Sequence, residues 1–98
     1  MPSFRVIMTM GSLRPGVAPD RVQAIASEAA AQLTTVEASS VNVVRGQARL
    51  TVRFEAEDDE LAEQIAGHVV GATDSAAEVL EFTVTVQRHG GWLTVRRA

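Results

Sequence analysis

Only a few residues in this chain are of types that could carry chemistry. His68 and His89 are its two imidazoles and Trp92 its single indole, and there is no cysteine. A histidine titrates near neutral pH and can act as acid or base, but His68 has no carboxylate or nucleophile at a recognisable spacing beside it. On a helical wheel it falls within the arc of Leu61, Ile65, Val69 and Ala72, the position of a core or interface histidine. His89 and Trp92 bracket Gly90-Gly91, so a two-residue turn there sends both side chains to one face. Trp92 then serves either as an aromatic anchor for a partner or ligand, or as a plug sealing one edge of a sheet.

Metal and phosphate chemistry find little support. The acidic run Glu55, Glu57, Asp58, Asp59, Glu60 and Glu63 contains no glycine turn of the kind a calcium loop needs. The two histidines lie too far apart in the chain for zinc spacing. Carboxylates at a helix N-terminus complement its dipole, which accounts for most of the run. The segment GSLRPG lacks the glycine pattern and lysine of a phosphate loop, although it sets Ser12 and Arg14 ahead of a helix start, an arrangement that can hold an anion. No cofactor and no metal are expected.

The elements that must position these groups follow from hydrophobic spacing. Ser40–Glu55 reads as a hairpin about Arg45-Gly46-Gln47, with Ala48, Leu50, Val52 and Phe54 on one side and Arg49, Thr51, Arg53 and Glu55 on the other. Phe4–Met10 alternates in the same way and is a first strand, followed by a loop over Gly11–Ala18. Pro19 and Asp20 suit the first turn of a helix whose stripe is Val22, Ile25, Ala26, Ala29, Ala30 and Leu33, ending near Thr34-Thr35. A second helix carries Leu61, Ile65, Val69 and Ala72 and runs to about Gly71. Glu81–Arg88 is a strand with Phe82, Val84 and Val86 inward, and Trp92–Arg96 folds back as a short fifth strand.

The order is β-α-β-β-α-β plus a C-terminal strand, and over residues 4–88 it resembles the ferredoxin-like α/β plait. That resemblance implies an α+β domain: a four-stranded antiparallel sheet with two helices on one face. Residues 1–98 form one domain, with its core at 4–88 and a hairpin extension at 89–98; so short a chain supports a single core. Both helices on one face leave the other open, and strand parity assigns to it Arg5, Ile7, Thr9, Asn42, Val44, Arg49, Thr51, Arg53, Thr83, Thr85 and Gln87, with Trp92 and Thr94. All three phenylalanines fall on the inward side, so base stacking by single-stranded RNA has no platform.

Composition narrows the class further. The 98 residues carry nine arginines, no lysine and twelve acidic groups, a net charge of −3 that argues against nucleic acid as a partner. The N-terminal stretch is too short and too interrupted for a signal peptide or membrane span, so no membrane partner and a cytoplasmic location are expected.

The leading reading is a non-enzymatic, self-associating plait, a homodimer contacting through Ile7, Val44, Thr83, Thr85, His89 and Trp92. A regulatory variant of it binds a small ligand through Ser12, Arg14 or His68. The layout is similar to that of ACT regulatory domains, which implies a ligand near Gly11–Val17. Two alternatives belong to other classes: a small enzyme of the dimeric α+β barrel type using His68, His89, Trp92 and Arg14, and an interaction domain using a strand edge, Val41–Val44 or Trp92–Arg96. Pro2 followed by β-α-β is similar to the tautomerases with an N-terminal proline, but Met1 covers that amine and the short hairpin at Arg45–Gln47 fits the plait better.

Overall fold

Alternating β-branched and apolar residues make the strands, and their parity decides which face they bury. In the computed structural model, which describes residues 1–98 apart from the side chain of Arg97, β1 is Ser3–Leu13, β2 Val36–Val44, β3 Gln47–Glu55, β4 Ala77–Arg88 and β5 Gly91–Arg97. The helices are α1, Pro19–Ala31, and α2, Asp59–Asp74. All strand pairs are antiparallel, in the order β2-β3-β1-β4-β5. The fold is therefore α+β, compatible with a ferredoxin-like plait. It departs from the expected four-stranded sheet because β5 is a full member, laddered onto β4 from Arg88↔Gly91 to Thr83↔Arg97.

The inward set is Phe4, Val6 and Met8 of β1, Leu50, Val52 and Phe54 of β3, and Val84 and Val86 of β4, all at 1 % exposure or less. Phe4 and Phe54 are direct cross-strand partners whose rings stack with centroids 6.1 Å apart. Over them lie Val22, Ala26, Ala29 and Ala30 of α1 and Ala62, Ile65, Ala66 and Val69 of α2, in one continuous core. So many alanines let both helices approach the sheet closely. No helix is long and apolar enough to cross a membrane.

The termini of the elements have local causes. Pro19 opens α1, and Asp58 caps α2 by accepting from Leu61 N at 2.8 Å. Both hairpins turn on two residues, the first on Arg45-Gly46 without Gln47, the second on His89-Gly90, one residue earlier than Gly90-Gly91. Arg45-Gly46 and His89-Gly90 all have positive φ, between 53° and 78°, as a type I′ turn requires, and a glycine at the second position removes the steric cost there.

Several boundaries differ from the expected ones. Gly11–Leu13 belongs to β1 and not to a loop, because bulges after Thr9 and after Met10 let the strand follow β4, which itself begins four residues earlier than Glu81. That early start is held by Asp74, whose carboxylate accepts from Val79 N at 3.0 Å. α1 stops at Ala31, leaving Leu33 outside the helix and exposed. α2 continues past Gly71, where buried Thr73 donates its hydroxyl to Val69 O at 2.7 Å. Its buried stripe is Ala62, Ile65, Ala66, Val69 and Thr73, rotated from the expected Leu61–Ala72 line, because alanines and not leucine fit beneath it. Leu61 is 39 % exposed.

The rotated stripe is directly testable. Ile65→Ala removes a buried side chain and should cost about 2–5 kcal/mol in urea unfolding. Leu61→Ala should change stability by about 0.5 kcal/mol or less.

Candidate functional site

The uncovered sheet face holds the densest group of polar side chains. Arg5 on β1 and Arg53 on β3 are direct cross-strand partners, and Thr85 on β4 is the partner of Arg5 on its other side. Two like charges in that position are unfavourable unless something compensates. Here an aromatic ring does so in part. The Arg5 guanidinium lies over the Trp92 ring at 3.9 Å from its centroid, and that of Arg53 at 5.1 Å. Arg5 also donates from Nε to Thr85 Oγ1 at 3.2 Å.

The acid of the cluster is Glu37. A bulge at Val36/Ala38 makes it the extra residue of β2, and its Oε1 accepts from Ser3 Oγ at 2.8 Å and from Arg53 Nε at 2.9 Å. Arg53 Nη2 reaches on to Gln87 Oε1 at 3.2 Å. These contacts, the Ser3 hydrogen bond first, hold the Glu37 carboxyl below the usual carboxylate range despite partial burial. Burial and then the adjacent Arg53 charge lower the pKa of Arg5. Among the described residues, no carboxylate lies within ion-pair distance of Arg5 or Arg49.

Beside this cluster, toward β2, a shallow cavity of about 220 Å³ is lined by Arg5, Arg53, Thr51, Ser40 and Asn42 with Ala38 and Ser39. Farther along the same face, Ile7, Thr9, Arg49, Glu81 and Thr83 line a second, of about 380 Å³. On the helix side, an apolar cleft of about 210 Å³ opens between the start of α1 and the ends of β1 to β3, bounded by Leu13, Pro19, Val22, Val41, Ala48 and Leu50 among others. It adjoins the free edge of β2, where Val41 is 49 % and Val43 74 % exposed.

The residues singled out from sequence are placed as follows. Ile7, Thr83, Thr85 and Trp92 do share the open face, with Thr85 only 7 % exposed. Val44 is half-buried at the far end of β2. His89 does not bracket the turn with Trp92: it is the first turn residue itself, exposed at the tip of the β4–β5 hairpin, while Trp92 pairs with Gln87. His68 is exposed and not on the buried arc, because the stripe of α2 is rotated away from it, and its Nε2 meets Gln32 Oε1 at 2.9 Å.

Ser12 and Arg14 do not form an anion cradle ahead of α1. Ser12 is exposed within β1. Arg14 reaches the other helix, donating from Nε to the Asp74 carbonyl at 3.0 Å and pairing with its carboxylate at 3.3 Å. A cation at the C-terminal end of α2 complements the dipole there, and the last turn of that helix carries no basic residue of its own. Three members of the acidic run are likewise engaged, Asp58 as cap, Asp59 with Arg88 at 2.8 Å and Glu63 with Arg96 at 3.7 Å.

No protein-family model, curated protein or solved structure matches the chain.

Reading from sequence placed Arg5 and Arg53 on the open face but missed their union with Glu37 and Trp92. Parity could show only the shared face. The strand register that sets the two arginines side by side, and the bulge that turns Glu37 toward them, have no local signature.

Because Ser3 and Arg53 stabilise ionised Glu37, its contribution to stability is full above the ordinary glutamate pKa and is lost as pH falls through the lowered one. Glu37→Gln should therefore be less stable than the parent at neutral pH, by about 0.2–1 kcal/mol for so exposed a pair. Unfolding curves of the two chains should converge in strongly acidic buffer.

Proposed function

We propose that the chain is a non-enzymatic module of ferredoxin-like type that acts as a homodimer, two copies joining along β2 into one continuous sheet. The observation that carries this is the composition of that edge. From Ala38 to Val44 it bears no charged side chain, and Val41 and Val43 stand exposed on the helix side. An unpaired edge of this kind is a template for another strand unless charge or proline blunts it. In a two-fold pairing the edge meets its own copy, so a central charge would face a like charge. β2 avoids that penalty. A two-fold axis at Asn42 sets Val41 of one copy beside Val43 of the other, next to the apolar cleft that Val41 already lines.

The other surfaces fit a second copy less well. Stacking the open faces about 10 Å apart would strip water from Arg5 and Arg53, which already repel each other. The β5 edge bears Arg96, a charge of the kind that β2 lacks from Ala38 to Val44. An enzyme reading draws no support from the site geometry. His68 faces the end of α1, His89 sits at a hairpin tip and Arg14 lies at the end of α2.

Light scattering after gel filtration should give twice the chain mass for the parent. Val43→Lys should give a folded monomer by far-ultraviolet circular dichroism, since Val43 packs little within its own chain. Thr83→Lys, on the open face, should remain dimeric. A monomeric parent at high micromolar concentration overturns the proposal.

A further inference from the structure

The pairing of Arg5 with Arg53 invites a further reading, independent of edge association. Among the described residues, Arg53 is paired with one carboxylate, Glu37, and Arg5 with none, so the cluster keeps an excess positive charge in a chain whose net charge is −3. That excess is therefore local. Trp92 takes the flat face of the Arg5 guanidinium, and stacking of this kind leaves the N–H edges free to donate in the plane. Among the described residues, Nε alone of those donors has a protein acceptor, Thr85 Oγ1. On the β2 side of Arg5 the cavity of about 220 Å³ adds the hydroxyls of Ser40 and Thr51 and the amide of Asn42. Among the described residues, none of these three side chains has a protein hydrogen-bond partner.

The geometry points to a binding site for a small phosphoryl-bearing molecule in this cavity, held by Arg5 and Arg53 and by the donors of Ser40, Asn42 and Thr51. On one wall Arg5 offers its free guanidinium edge and Arg53 the Nη1 group not bonded to Glu37 or Gln87, and neutral donors line the other. An oxyanion is thus met from several directions, which suits a tetrahedral group better than a planar carboxylate. An anion seated there offsets the repulsion between the two arginines, and that repulsion is one cause of the lowered Arg5 pKa. Because Arg5 separates the cavity from Trp92, occupancy must alter the stacking of the guanidinium on the ring.

Trp92 is the only tryptophan, so its fluorescence reports on this site alone. Titration with inorganic pyrophosphate should change that emission saturably at millimolar concentration or below, whereas sodium chloride of matched ionic strength should not. Arg5→Gln and Arg53→Gln should each weaken binding about tenfold or more, the loss expected for a charge-assisted hydrogen bond. Arg53 also holds Glu37, so Thr51→Val supplies a variant without a protein partner to lose; it should weaken binding severalfold, as followed by calorimetry. No saturable response in the parent, or unchanged affinity in Arg5→Gln, overturns the site. A response to citrate equal to that for pyrophosphate overturns its phosphoryl preference. Binding that persists in monomeric Val43→Lys supports a site built by one copy, and binding lost there overturns that assignment.

Discussion

The period-two alternation of β1, β3 and β4 is the constraint on which the rest of the molecule depends. It sends phenyl and aliphatic groups to one side of the sheet, where a helix of 13 residues and another of 16 cover them. Burial of that surface is the main force holding so small a domain together. The same alternation leaves arginine, threonine and serine on the other side, which neither helix covers.

That constraint also sorts the charges. At the N-terminal end of α2, Asp58 caps the helix while Asp59 and Glu63 pair with Arg88 and Arg96 from the last two strands. Arg14 serves its opposite end. These pairs are solvent-screened and each contributes little. Arg5 and Arg53 differ from them, since strand register sets them side by side against one aromatic ring while Glu37 pairs with Arg53 alone.

Much of the core was legible in sequence because strands repeat every two residues. Phe4, Val6, Met8, Leu50, Val52, Phe54, Val84 and Val86 could each be assigned a side from alternation alone. Helix α2 was less legible because alanine counts as weakly apolar. The leucine at position 61 drew the stripe toward itself, while close packing favoured Ala62 and Ala66. The bulges after Thr9 and at Val36/Ala38 were illegible, since an extra residue in a strand is a property of pairing and not of composition. From those bulges follow the longer β1, the early β4 and the placement of Glu37. The open-face cluster was thus half visible: its arginines by parity, its acid and its geometry only by register.

The central position of β1 bears on how the chain reaches this structure. β1 precedes the other four strands yet lies in the middle of the sheet, and Phe4 has its ladder partners at Phe54 and at Val86. Neither flank can close until long stretches of chain have been brought back, an entropic debt incurred before any contact rewards it. Folding should consequently be slower than for helical bundles of equal size. During synthesis, the apolar run of β1 has neither neighbour until Phe54 has been made, and lacks the second until Val86 has followed.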